Sequence, residues 1–421
     1  MYTLYFLIIY FIFCWRTRAY LVLSSLFILF PIHITLKHCF AILGGDVYFP
    51  FWYDIAIFFL LQKAFRVKMQ VSYYWIVFLF FILYLFAFYF LLPNDKDAIS
   101  TLRIYLHCFC LFFSLSTLKF TSLQIKKLFI VQLWVTYILC ITGIVIYFFF
   151  QSDWHLFLNH YIIDKNGALS YVTPSFTIMG IERMNGLIGA PNQFGVYMAY
   201  VWLWIYSACI SKSINKFSSW LCLVLISGCL FMSFSRAGWA LVIITLFLFN
   251  FYKGKAVVVI KFMFAMLFAL VLIMAIVFIL EPMFFDIVVA SLTGEESSAS
   301  TRGDMVHDFY LQLLSTPWGN GLGTGTIDGD GGNIAESSIL LQAYEIGIQG
   351  CAFYLFLWFV LLKKMRQYKT EIYLIMSSLM IATLMVSVVS VNIFQYPYVY
   401  YIWGGMGFVL NKSVKSVYEN R

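Results

Sequence analysis

Residues Tyr73-Tyr-Trp-Ile-Val-Phe-Leu-Phe-Phe-Ile-Leu-Tyr-Leu-Phe-Ala-Phe-Tyr-Phe-Leu-Leu92 run for twenty positions without a single charge. A helix that crosses a membrane needs about 20 mostly apolar residues to span a hydrocarbon core of about 30 Å. Lipid offers no partner to a free backbone amide, so the stretch reads as a helix and not as a strand or loop. Runs of the same kind recur in both directions, centred near residues 8, 27, 57, 81, 110, 139, 198, 226, 245, 268, 350, 381 and 404. The first is short, ending at Arg16, and fits equally one arm of a hairpin with the second. No basic residue precedes its apolar core, so it is expected to remain as a helix and not to act as a signal peptide.

Composition agrees with this reading. The 421 residues are 63% hydrophobic and 11% charged, with a mean hydropathy of +0.89. A soluble domain carries about 45–50% apolar and about 25% charged residues. That excludes a soluble enzyme, a secreted disulfide scaffold and a disordered chain. Nine cysteines lie in or beside apolar runs, which points to neither a disulfide framework nor a zinc site. The expected fold is all-α, a polytopic transmembrane helical bundle of about 12–13 spans. Residues 1–421 are expected to form a single transmembrane domain, with a first outer loop at 151–185 and a large outer loop at 281–336.

Charge orients the bundle. One set of alternate loops, from Arg16 and Arg18 through Lys363, Lys364 and Arg366 to Lys412 and Lys415, holds 20 of the 27 basic residues and only Glu371 and Glu419 among the acids. The N-terminus is therefore expected outside and the C-terminus in the cytoplasm. The net charge of +8 is a topology signal and not a nucleic-acid footprint.

Seven cations remain: Lys37, Lys96, Arg103, Lys165, Arg183, Arg236 and Arg302. Lys37 and Arg103 suit side chains that snorkel to the interface. Three arginines stand in polar, glycine-bearing surroundings at outer span ends. Arg183 opens Arg183-Met-Asn-Gly-Leu-Ile-Gly-Ala-Pro191-Asn192-Gln-Phe-Gly195, Arg236 sits in Ser233-Phe-Ser235-Arg236-Ala-Gly238, and Arg302 precedes Gly-Asp304-Met-Val-His307-Asp308. An arginine near lipid is costly without a partner or ligand. Its planar fork suits phosphate oxygens, so the three suggest a lipid-linked pyrophosphate.

The loop 281–336 holds nine carboxylates and one full cation, Arg302. Residues 303–315 are patterned as an amphipathic helix lying at the interface. Gly319-Asn-Gly321-Leu-Gly323-Thr-Gly325 follows, then Asp328-Gly-Asp330-Gly-Gly, then Glu336-Ser337-Ser338. The glycine run has no strand before it and no crossover after it, so it is not a dinucleotide fingerprint. The Asp-Gly-Asp segment lacks the ligand spacing of a calcium loop and reads as an acidic turn. Glu336 suits a helix N-terminus and equally a base at the membrane face. Trp154, Tyr161, Tyr171, Trp318 and Tyr396 fit an interfacial aromatic belt, and could also stack on sugar rings.

These motifs, in this order and on one side, resemble the O-antigen polymerase/ligase superfamily over roughly residues 180–355. Its ligases typically show His-Asn where this chain has Glu336-Ser337, which turns the resemblance towards a Wzy-type O-antigen or capsule polymerase. The resemblance implies a membrane glycosyltransferase of the bacterial inner membrane. Such an enzyme moves a growing undecaprenyl-pyrophosphate-linked glycan onto a new lipid-linked repeat unit. It implies the pyrophosphate on Arg183, Arg236 and Arg302, and Glu336 as general base with Asp304 and His307 behind it. Gly321 and Gly323 would let the backbone approach the substrate, and no cofactor or metal is needed. Expected partners are the undecaprenyl-pyrophosphate-linked oligosaccharide, membrane lipid, a chain-length regulator and a flippase. An O-antigen ligase, or a flippase for the same glycan, is the alternative. A flippase would show internal repeats and midplane charges, which this sequence lacks.

Overall fold

The computed structural model describes residues 2–42, 49–67, 73–91, 98–159, 177–178, 181–254, 257, 261, 310–311, 313–324, 337–368, 370–388, 390 and 398–419. The chain is an all-helical polytopic membrane protein. In chain order its helices are α1 (Tyr2–Arg16), α2 (Ala19–Leu29), α3 (His33–Ile42), α4 (Phe51–Phe65), α5 (Tyr73–Leu91), α6 (Ala98–Thr117), α7 (Ser122–Phe149) and α8 (Gln151–Asn159). They continue with α9 (Pro191–Ile210), α10 (Lys216–Met232), α11 (Arg236–Tyr252), α12 (Ser338–Arg366), α13 (Glu371–Ser387), α14 (Tyr398–Leu410) and α15 (Lys412–Glu419). A two-residue hairpin, β1 (Thr177–Ile178) with β2 (Ile181–Glu182), and a 3-10 turn at Gly186–Ile188 precede α9.

A helix stands at twelve of the thirteen expected centres, and the run near residue 268 lies outside the described residues. Length divides them. Among the described residues α5, α6, α7, α9 and α12 are long and apolar enough to cross a membrane alone. The expected second span is instead broken, with α2 and α3 meeting at a bend of 73°. At 1.5 Å per residue, the 15 residues of α1 reach roughly 22 Å. It turns back into α2 at Arg18, and Tyr10 shares a hydrogen bond of 2.7 Å with Ser25 across the pair. The short first run is thus one arm of a hairpin.

Local chemistry sets several helix starts. Thr121 and Gln124 close a capping box on α7, and Asn215, Ser235 and Ser337 cap α10, α11 and α12.

Contacts sort the helix ends into two groups. At one end Lys63 Nζ donates to Cys14 O at 2.7 Å, joining the ends of α4 and α1. There Asn411 Nδ2 donates to Leu115 O at 2.6 Å, Lys253 pairs with Glu371, and Arg366 lies over the Tyr252 ring at 4.5 Å. This is the basic end. The starts of α9, α11 and α12, and the end of α13, gather at the other.

Arg103 does not simply snorkel. At the end away from the basic residues it pairs with Asp54 through Nε at 2.8 Å and through Nη2, stacked between Phe51 and Tyr53. His107 Nε2 lies 2.7 Å from Asp54 and its Nδ1 lies 3.1 Å from the Tyr400 hydroxyl. The network ties α4, α6 and α14 together where lipid would otherwise penalise each charge.

Candidate functional site

The segment Arg183–Ala190 cannot run as a helix. Gly186 and Gly189 take φ of +51° and +96°, values that only glycine adopts cheaply. A Cβ on Gly186 would lie 2.6 Å from the Phe194 ring, so the chain passes directly over that ring. Pro191 then starts α9, where its missing amide costs nothing. Beneath the segment, Trp154 Nε1 donates to Gly186 O at 3.0 Å from α8. Burial pushes the neighbouring His155 imidazole below its usual range, against an upward pull from Glu182, so this side is not an additional cation at neutral pH.

Arg183 is buried, at 3% exposure. Its Nε donates to Ser233 O at 3.0 Å, and its Nη2 donates to Asn192 Oδ1 at 2.6 Å and to Phe234 O at 3.4 Å. The next residue adds Met184 N to Met232 O at 3.0 Å. Arg183 therefore holds the turn between α10 and α11. That turn needs holding, since Phe234 sits at φ +49°, which costs a side-chain-bearing residue about 1–2 kcal/mol. The guanidinium thus donates to two carbonyls and an amide oxygen of its own chain, at the position where the sequence suggests a pyrophosphate ligand.

Two glycines lock this arrangement from the other side. A Cβ on Gly195 would fall 2.1 Å from Ser235 Cβ, and one on Gly238 would fall 2.7 Å from Gly195 O. The starts of α9 and α11 thus touch backbone to backbone, the close approach that small residues allow between membrane helices. Ser235 caps α11 by accepting from Gly238 N at 3.3 Å, and its hydroxyl donates to Asn192 O at 3.4 Å. The product of these contacts is Arg236, exposed on the first turn of α11. A cation there opposes the helix dipole, and both the guanidinium and the dipole favour an anion at that spot.

The start of α12 reaches the same end of the bundle. Lys253 at the end of α11 pairs with Glu371 at the start of α13, so these packed helices run antiparallel. The end of α13 then lies on Arg236's side. It receives α12 through Ser337 Oγ to Ser387 O at 3.3 Å and Ser338 Oγ to Ser390 O at 2.7 Å. Glu336, Arg302, Asp304 and His307 lie outside the described residues, as do Tyr161, Tyr171, Tyr396 and the Asp328–Gly332 turn.

The glycine loop has a use that the sequence did not reveal. α12 breaks at Gly347, at φ +76° and ψ +166°. The break releases backbone groups, and the loop takes them up. Asn320 N donates to Tyr344 O at 2.9 Å, Gly321 N to Glu345 O at 3.1 Å, and Ile348 N to Pro317 O at 3.1 Å. Tyr84 of α5 donates its hydroxyl to Ile346 O at 2.7 Å. Such irregular backbone is tolerated at membrane depth only when protein satisfies it. Gly321 and Gly323, expected to face substrate, are buried at φ +106° and +80°. The Gly321 amide takes part in docking the loop on α12.

Asn192, Ser233 and Ser235 join Arg183 in holding this turn, a role that the sequence motifs alone do not assign. The signal was there, in a Pro-Asn pair at a helix start and two serines flanking a turn.

Residues 221–350 match the family model described as O-antigen ligase. The matched stretch carries Arg236, the glycine loop and the broken first half of α12. It supports the O-antigen ligase/polymerase superfamily, whose members are membrane enzymes that transfer lipid-linked glycans. No curated protein matches the chain.

Proposed function

We propose that the protein is a polymerase of lipid-linked oligosaccharide repeat units, for O-antigen or capsule, in a bacterial inner membrane. One observation carries the reading most directly: Arg236 is presented on a turn built for it, at the end of the bundle where α12 begins after Glu336. The glycan chain carried on polyprenyl pyrophosphate is the donor, and a new lipid-linked repeat unit is the acceptor. The acceptor hydroxyl attacks the anomeric carbon, the bond from that carbon to the pyrophosphate oxygen breaks, and the pyrophosphate departs with the electron pair. Arg236 and Arg302 neutralise the charge that develops on the leaving phosphates. Glu336 takes the hydroxyl proton, with Asp304 and His307 as the next candidates. Arg183 positions Arg236 and does not touch substrate.

Positive charge at the basic end supports a cytoplasmic placement for it and an outward placement for Arg236. A periplasmic reporter fused after residue 300 should be active, and one fused after residue 366 inactive. Equal activity at both points would overturn this orientation.

The test between polymerase and ligase is the product left when the gene is deleted. Loss of a polymerase should leave lipopolysaccharide that carries a single repeat unit and no ladder. A bare core with accumulated lipid-linked polymer would instead assign the protein as the ligase that the matched family model describes. The polymerase reading rests there on Glu336-Ser337 in place of His-Asn.

A further inference from the structure

We propose that the shallow groove between α5 and α12 seats the polyprenyl chain of a second lipid-linked substrate, a proposal that rests on the polymerase reading above. The groove is walled by Phe80, Leu83, Tyr84 and Ala87 of α5 and by Phe353 and Phe356 of α12. Positions 80, 83, 84 and 87 repeat at three- and four-residue intervals, so they form one stripe along α5. Leu83 and Phe356 are exposed, and nothing in the wall offers a charge. Hydrocarbon is the ligand chemistry that such a wall accepts.

What distinguishes this groove from any other lipid-facing surface is where it leads. Gly350 lets the Tyr84 ring lie against α12, since a Cβ there would fall 2.8 Å from the ring, and the Tyr84 hydroxyl reaches Ile346 O at the break. One residue beyond Ala87, the Phe88 ring sits beneath Gly319, where a Cβ would fall 2.9 Å from it. The apolar track therefore runs from the flank of the bundle directly under the glycine loop. Trp318 at 73% exposure and Ile348 at 46% extend it there. A chain lying in the groove carries its head group to that loop and to the broken half of α12 that begins beside Glu336.

The reaction itself asks for two seats. Donor and acceptor both carry polyprenyl pyrophosphate, and Arg236 serves one of them. Helix α12 packs on α13 as well as on α5, and α13 in turn packs on α11, which carries Arg236. The groove lies on the contact of α12 with α5 and Arg236 on a helix that packs on α13, so the two seats are built from different helix pairs. The two lipids would meet at the start of α12, which brings their sugars together and keeps their tails apart.

The test uses the full-length protein in cells that make the lipid-linked repeat unit. A photoreactive benzoylphenylalanine placed at Leu83 or at Phe356 should capture a polyprenyl-linked glycan several-fold more than the same probe at Trp134, a lipid-exposed position on α7. The adduct should vanish in cells that cannot make the repeat unit. In a second arm, Ala87→Trp fills the groove and should shorten or abolish chain growth, and it should suppress capture at Phe356 while protein level stays normal. Phospholipid adducts alone, or equal glycan capture at Trp134, would overturn the proposal, as would a full polymer ladder from Ala87→Trp. The polymerase reading fails on a separate result, a deletion strain with a bare core. If the deletion strain shows that bare core, groove capture by the probe-bearing protein in the parent cells would belong to a ligase donor and would contradict a seat for a second polyprenyl substrate.

Discussion

Arg236→Ala is expected to abolish chain growth while the protein remains in the membrane at its normal level. Arg236 is exposed on the first turn of α11, so its loss opens no cavity in the bundle. What it removes is a charge-assisted donor to the leaving pyrophosphate, the kind of loss that costs about 10²–10³ in rate. Arg236→Lys should restore little, because a point charge cannot reproduce the planar bidentate fork. Arg183→Ala should fail differently. It strands Ser233 O in a buried place, at about 1–3 kcal/mol, frees the half-buried Asn192 Oδ1, and releases the strained Phe234 turn. Arg183→Ala should therefore lower thermal stability as well as activity, and should lower it more than Arg236→Ala does. Polymer ladders and melting curves of detergent-purified variants separate the two. A normal ladder from Arg236→Ala would remove the site.

Among the described glycines, Gly195→Ala brings the added methyl group closest to a neighbour, and its effect should be large. The added carbon would stand 2.1 Å from Ser235 Cβ and 2.6 Å from Ser233 Oγ, both on the turn that carries Arg236. Neither neighbour is the free end of a long side chain, so backbone must move. Overpacking of this kind costs about 1–3 kcal/mol or more, and here the displaced backbone is the site itself. Loss of polymer together with a lower melting temperature is expected, and Gly238→Ala should act alike through Gly195 O. Gly228→Ala on α10, with open space at its Cβ, is the control and should be silent. A Gly195→Ala protein with native stability and a native ladder would contradict the backbone contact between α9 and α11.

Much of this architecture can be read from runs such as Tyr73–Leu91, because lipid leaves a long apolar run only one structure. The alternation of basic loops is likewise local and additive. The rest depends on distant partners. Residues 338–366 carry Gly347 and Gly350, but the break at Gly347 holds only because amides from 320–321 and the Tyr84 hydroxyl arrive to meet the freed carbonyls. Arg183 and Arg103 look alike in sequence, each a cation near a span end. One answers carbonyls 50 residues onward and the other a carboxylate 49 residues back. Residue type and position therefore do not reveal the internal partners that the fold supplies to both. The same limit applies to Gly321, whose amide meets Glu345 O on α12. Arg236 lies exposed on the short turn that the Ser-x-Ser-Arg motif marks.

The most direct measurement is reconstitution of the purified protein in liposomes with a polyprenyl-pyrophosphate-linked repeat unit as the only glycan. A polymerase needs no other substrate, so the lipid-linked product should lengthen into a ladder of whole repeat units, with free polyprenyl pyrophosphate released at each step. If instead the repeat unit stays single, and is consumed only when lipid A–core is added, the protein is a ligase and the polymerase account is wrong.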